Sequence, residues 1–127
     1  MNLSNKNIII TGCLGIYGFE ITKYLLNQNS KVIGLDIHTN HKKIKFLKRK
    51  YIKNFKYLSC DVADKEELTK IKKIIISNFR KIDVLINLAS VTDPIENRKK
   101  KIIKFEEYSS DEFKNIVSKN VLATFVP

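Results

Sequence analysis

The feature that most constrains this chain is a glycine-spaced turn placed directly behind a run of β-branched residues. Asn7–Thr11 reads NIIIT, and Thr11-Gly12-Cys13-Leu14-Gly15-Ile16-Tyr17-Gly18 continues from it without a break. A short, continuously apolar run of this kind suits a strand covered on both faces. The three glycines then serve different ends. The first permits a tight turn, the second lets a ligand come close to the backbone, and the third lets the new helix pack against the strand. A pyrophosphate suits the start of such a helix, where free N–H groups carry the positive end of the dipole. No Gly-Lys-Ser/Thr closes the loop, so it is not the phosphate loop of nucleoside triphosphatases.

The rest of the chain repeats the strand-then-helix order. Lys31–Asp36 (KVIGLD) and Ile82–Asn87 (IDVLIN) are further strands, and Asn54–Cys60 (NFKYLSC) is a weaker one. Helices are expected over Ile16–Gln28, His41–Lys50, Asp64–Phe79 and Ser110–Phe125. The third opens on Asp64-Lys65-Glu66-Glu67, which puts acid at the positive helix end. For the last, Ser110 is a candidate cap, and Ser109 could form a capping box with Glu112. Its inward face is expected to carry Phe113, Ile116, Val117 and Val121. This alternation predicts an α/β fold, a Rossmann-type doubly wound parallel sheet with strand order 3-2-1-4 and its fourth strand at an edge. Residues 1–127 read as one domain, with Pro94 in a surface excursion before the last helix.

Composition narrows the function classes. No apolar run approaches the roughly 18 residues of a membrane span, and two cysteines make no disulfide framework. Cys13 and Cys60 suit a reduced cytoplasm. The formal charge of +11 raises nucleic acid as a partner, but only three of the 24 basic residues are arginine, and the lysines spread over several helices. A solvated surface explains that pattern better than a polyanion-binding face. His38 and His41 lack a third ligand, so no metal is expected.

Three more groups of residues fall at carboxyl strand ends, where open α/β sheets bind ligands. Asp36 closes the second strand, 24 residues after Gly12. A carboxylate there can accept both adenosine ribose hydroxyls and would repel a 2′-phosphate, which favours NAD over NADP. Ile37 follows it at the same edge. After the weaker strand, Asp61 could meet the adenine amine and Val62 could pack on its ring, while Asp64 reads as a helix cap. Asn87-Leu88-Ala89-Ser90 ends the last strand with small residues that let a cofactor lie close. Cys60 reads as a buried small hydrophobe.

These residues resemble the short-chain dehydrogenase/reductase family. The octapeptide Thr11–Gly18 is similar to the TGxxGxxG form of its extended, sugar-nucleotide-modifying branch. Cys60-Asp61-Val62-Ala63-Asp64 resembles the DVxD element of the classical branch, and Asn87-Leu88-Ala89-Ser90 its NNAG element, departing at Leu88 and Ser90. Asn120 resembles the asparagine of the following helix, which in the family kinks that helix and supports a water-linked proton relay. Ala123 stands where glycine is frequent. The mixed pattern, with the long loop Val91–Tyr108, is similar to bacterial members tied to surface-glycan or flagellin modification. The resemblance implies hydride transfer between a nicotinamide and a carbonyl or alcohol substrate, and a homo-oligomeric enzyme.

The family's proton donor is a Tyr-x-x-x-Lys. Here Tyr17, Tyr24, Tyr51, Tyr57 and Tyr108 are followed four residues on by Ile21, Gln28, Phe55, Asp61 and Glu112. The expectation is therefore an NAD-binding portion that lacks the family's catalytic Tyr and Lys and is inactive alone. The alternative is a non-catalytic dinucleotide-binding or regulatory protein that completes its fold with a partner.

Overall fold

Ile8, Ile9 and Ile10 point alternately to opposite faces of β1 (Asn7–Thr11), and all three are buried. A strand apolar on both faces must be covered on both, and the chain supplies a helix after each strand to do so. The computed structural model describes residues 3–91, 105–107 and 109–127. In order these form β1, α1 (Ile16–Asn27), β2 (Lys31–Asp36), α2 (His41–Lys50), β3 (Phe55–Ser59), α3 (Lys65–Asn78), β4 (Val84–Asn87) and α4 (Ser110–Phe125), with a single 3-10 turn at Phe105–Glu107. Most of the long loop expected between Val91 and Tyr108 lies outside the described residues, including Pro94.

The four strands are parallel in the order β3-β2-β1-β4, the order expected for a Rossmann-type sheet. Ile8 and Ile10 meet Val32 from β2, Leu25 and Leu26 from α1, Leu47 from α2 and Phe55 from β3. Ile9 meets Ile33 and Leu35 on the opposite face, with Ile75 from α3 and Ala123 from α4. Each fully buried Ile or Leu in these layers contributes about 1.5–3 kcal/mol relative to exposure. Cys13 and Phe55 fill the space over Gly34. A Cβ added at Gly34 in β2 would lie 2.6 Å from the Cys13 sulfur and 3.2 Å from the Phe55 ring.

Three helices begin on a side-chain cap. Asn40 accepts the Lys43 N–H, Asp64 accepts those of Glu66 and Glu67, and Ser109 accepts those of Asp111 and Glu112. Ser109 is thus the cap of α4, and Ser110 is its first helical residue. β4 starts two residues later than the sequence suggests. Ile82 is exposed, and Asp83 turns its carboxylate back onto the Asn7 N–H at 2.9 Å while pairing with Lys81 at 2.8 Å. That double contact holds the Asp83 carboxyl below its usual range.

α4 corrects one expectation more sharply. Phe113, Val117 and Val121 are exposed, and the residues turned toward the sheet are Ile116, Asn120 and Ala123. Asn120 explains the rotation, because its amide bonds the backbone of Val91 behind β4. Among the described residues no helix is long and apolar enough to cross a membrane.

Candidate functional site

Parallel strands place every carboxyl end at one edge, so the loops after β1, β2, β3 and β4 converge there. Gly12 turns the chain out of β1 with φ +65°, a conformation that side chains disfavour. A Cβ at this position would also strike Leu88 and Ala89 backbone atoms at 2.7–2.8 Å. At Gly18 an added Cβ would fall 1.9 Å from the Gly12 carbonyl oxygen. The first and third glycines therefore close the loop against β4 and against α1. Gly15 differs. Its added Cβ would meet a single atom within contact range, the Gly12 oxygen at 3.3 Å. The surface in front of Gly15 is open for a ligand.

Asp36 anchors this loop. Its carboxylate accepts the Leu14 N–H at 2.8 Å through one oxygen and the His38 N–H at 2.9 Å through the other, and the residue is 7% exposed. The Tyr57 hydroxyl shares its proton between the carbonyl oxygens of Asp36 and His38, at 3.1 and 2.9 Å. Burial, and then the charge of Asp36, push that phenol upward. The Lys43 ammonium donates to the Leu14 carbonyl at 2.6 Å and lies over the Phe19 ring. Leu14 is thus held on its N–H by a carboxylate and on its C=O by an ammonium.

Thr11 is fully buried, and its hydroxyl accepts both the Leu88 and the Ala89 N–H at 3.1 Å. It ties β1 to the segment leaving β4. Cys13 gives its N–H to the Leu35 carbonyl and packs its sulfur in the core. Burial first, and Asp36 second, hold that thiol far above the ordinary range, so it is no nucleophile. Ile16 and Tyr17 stand exposed on the first turn of α1, and Ile37 is exposed beyond Asp36.

The carboxyl end of β3 leads into Asp61 and Val62. Asp61 is exposed, accepts the Ala63 N–H at 2.9 Å and donates its own N–H to Glu67 at 2.7 Å. Val62 is buried with the core around Ile75 and Phe79 rather than presented at the surface. Cys60 is buried too, its thiol pushed up to about 11 by burial and by Glu67, Asp61 and Asp64.

At the β4 end, Asn87 donates to the Thr124 carbonyl at 3.3 Å, while its side-chain oxygen is buried without a hydrogen-bond partner among the described residues. Leu88 and Ala89 are half-buried and Ser90 is exposed. Asn120 accepts the Val91 N–H at 2.7 Å and donates to the Val91 carbonyl at 3.2 Å. It sits inside an α4 that runs from Ser110 to Phe125.

Thr11, Gly12, Leu14, Gly18, Asp36, Leu88 and Ala89 are thus joined by direct contacts, whereas Asp61 stands apart from them. Two contributors carry no sequence mark, Lys43 within a lysine-rich run and Tyr57 within the weak strand. The start of α1 suits an anionic ligand. The first turn of α1 has neither a side-chain cap nor an acid, unlike the other three described helices. It opens beside the uncrowded Gly15, while the unpartnered buried oxygen of Asn87 on the neighbouring strand calls for a hydrogen-bond donor rather than an anion. A surface hollow of about 400 Å³ lined by Leu26, Asn27, Lys50 and Tyr51 lies at the opposite ends of α1 and α2 and takes no part.

Comparison with known proteins agrees with this geometry. Alcohol dehydrogenase 1 of Ceratitis capitata is 33% identical over 97 residues, covering 74% of this chain and 38% of that protein. An uncharacterized oxidoreductase of Saccharomyces cerevisiae is 28% identical over 121 residues, covering 95% of this chain and 35% of its own length. Among solved structures, the 3-ketoacyl-(acyl-carrier-protein) reductase of Brucella melitensis complexed with NADH superimposes with a TM-score of 0.77 at 21% identity, covering 98% of this chain and 48% of that one. A short-chain dehydrogenase of Streptomyces avermitilis gives 0.75 at 24% identity, covering 97% and 42%. The chain spans about a third of the length of these curated relatives and about half of the solved ones. The family model of the short chain dehydrogenases matches residues 6–127, and the chain belongs to that family.

Proposed function

We propose that residues 1–127 are the NAD-binding portion of a short-chain dehydrogenase that interconverts a carbonyl and an alcohol. The observation that carries this reading is the uncapped first turn of α1, opening beside Gly15 and behind a loop that Asp36 holds by the Leu14 N–H. Gly15, Ile16 and Tyr17 would hold the pyrophosphate, whose charge suits the free amides and the helix dipole. Asp36 would face the adenosine ribose, where its carboxylate disfavours a 2′-phosphate. Asp61 and Ile37 would border the adenine. Asn87 to Ser90 would flank the cofactor farther along the edge, the Asn87 oxygen accepting a donor there.

When bound, the cofactor supplies a hydride donor or acceptor at its nicotinamide. This chain's residues bind and orient it. Asn120 is a positioning residue, fixing α4 to Val91 and so shaping the wall next to Ser90. No Tyr-x-x-x-Lys occurs between residues 1 and 127, so protonation of substrate is assigned to residues outside this portion. The resemblance of Thr11–Gly18 to the extended branch of the family implies a sugar or nucleotide sugar as substrate, and the family resemblance a homo-oligomeric cytoplasmic enzyme.

Calorimetric titration tests the reading. Saturable binding of NAD, weaker binding of NADP and no salt-sensitive binding of an oligonucleotide are expected. Absence of NAD binding by a cooperatively folded chain would sink it.

A further inference from the structure

Positive charge that is scattered along the sequence is gathered by the fold. Parallel strands start together as they end together, and the edge where they start lies opposite the nucleotide edge. Lys31 opens β2, and Lys53 and Lys56 flank the start of β3. α2 runs back from the nucleotide edge and ends here on Lys48, Arg49 and Lys50. Lys56 is half-buried and the other five are exposed. Between residues 21 and 60 the single acidic residue is Asp36, at the far end of its strand. Asp83 precedes β4 at this edge and is paired with Lys81.

An apolar side chain stands inside this basic edge. Ile52, in the turn between α2 and β3, is 79% exposed. It borders both surface hollows beside the turn; Lys50 and Lys53 line one, and Lys31, Lys53 and Lys56 the other. The turn is braced. The Tyr51 carbonyl accepts the N–H groups of Asn54 and Phe55, each at 3.0 Å, and the Tyr51 hydroxyl donates to the Asn27 side-chain oxygen at 2.6 Å. That bracing holds Ile52 out from the core.

We propose that this amino edge is a docking surface for an anionic phospholipid bilayer. Ile52 inserts at the boundary between headgroups and acyl chains, and the lysines around it meet the anionic headgroups. Lying on a bilayer in this way needs no spanning helix. The nucleotide edge then faces away from the membrane and stays open. Two features favour lipid over nucleic acid. Five of the six basic residues are lysine, point charges without the fork that reads bases. The rings beside the turn, Phe46 and Tyr51, each have the Lys50 ammonium over a face, 5.9 and 5.2 Å from the centroid. The exposed apolar group is aliphatic, which enters acyl chains but gives a base nothing to stack on.

The test is flotation of the chain with vesicles of phosphatidylcholine and phosphatidylserine in equal parts, beside vesicles of phosphatidylcholine alone, with a thermal melt of every variant. Binding to the mixed vesicles is expected, with loss at high salt and none on phosphatidylcholine. Lys50→Gln with Lys53→Gln should weaken it about 25-fold, the product of about fivefold for each charge near the surface. Ile52→Ser should weaken it about tenfold, and Ile52→Leu should hold it within about threefold. Lys65→Gln with Lys70→Gln removes the same charge from exposed positions on α3 and should change binding by less than about threefold. Equal weakening by the two lysine pairs would reduce the effect to net charge and overturn the proposal. Unchanged binding by Ile52→Ser, or equal binding to both vesicles, would overturn it as well. An oligonucleotide that binds through Lys50 and Lys53 while the vesicles float free would assign the edge to nucleic acid instead.

Discussion

The Asp36 carboxylate accepts the backbone N–H of Leu14 at 2.8 Å, so the end of β2 fixes the shape of the loop leaving β1. The residue proposed to face a ribose is also a structural anchor. Asp36→Ala is expected to lower stability by about 1–3 kcal/mol, since it leaves buried donors unpaired. It is also expected to weaken NAD and to relax discrimination against NADP. Asp36→Asn keeps one acceptor, for Leu14, but sets its NH2 against the His38 N–H, so it should recover only part of the stability. Denaturant melts beside nucleotide titrations separate the two roles, and unchanged discrimination in both variants would remove the ribose role.

Thr11 makes the corresponding link between β1 and β4. Thr11→Val preserves shape but strips the acceptor from the Leu88 and Ala89 N–H groups, with an expected loss of about 1–3 kcal/mol. Thr11→Ser restores the oxygen and should recover most of it. Equal melting of Thr11→Val and wild type would show that water replaces the hydroxyl.

The glycines should separate by function. Gly18→Ala drives a methyl into the Gly12 carbonyl and is expected to lose about 1–3 kcal/mol or more through overpacking. Gly15→Ala meets only one atom, at 3.3 Å, and should change stability by less than about 1 kcal/mol while weakening the dinucleotide. A Gly15→Ala chain that melts normally and binds NAD like wild type would place the ligand elsewhere.

Asp83 provides a pH test. Its folded-state value is depressed by the Asn7 N–H and Lys81, so its contribution is complete above the ordinary carboxylate value of 3.8 and fades as the pH falls through the folded value. Asp83→Asn should therefore melt below wild type at neutral pH, and the gap should narrow as the solution is acidified below that value. A gap independent of pH would mean that the loss is steric.

The sequence carried much of this architecture on its surface. β1, β2, α2 and α4 begin and end where strand and helix patterns place them, because short β-branched runs and polar caps act locally. β3, the weak candidate, is one residue shorter at each end than expected. The misplaced face of α4 has a different origin. Phe113, Val117 and Val121 follow a clean spacing of four, yet the helix is turned by the Asn120 amide reaching Val91 and by the small Ala123 against the sheet. Periodicity reports that a stripe exists, and it cannot say which stripe meets the sheet. The glycines, Asp36 and Asn87 could be placed at one edge because parallel strands put all their carboxyl ends together. The double hold on Leu14 was hidden, since nothing distinguishes Lys43 from its neighbours until the loop is folded beneath it.

The contact between Cys13 and Gly34 carries a last consequence. The sulfur occupies the volume that a side chain at 34 would need, so the two positions share a single allotment of space and cannot drift separately. A larger residue at 34 is compatible with this fold only where 13 shrinks. Because 13 lies inside the glycine turn, a packing change in the middle of the sheet would reach the nucleotide edge as a displaced loop. Inheritance of changes at 13 and 34 as a pair would be the trace of that coupling.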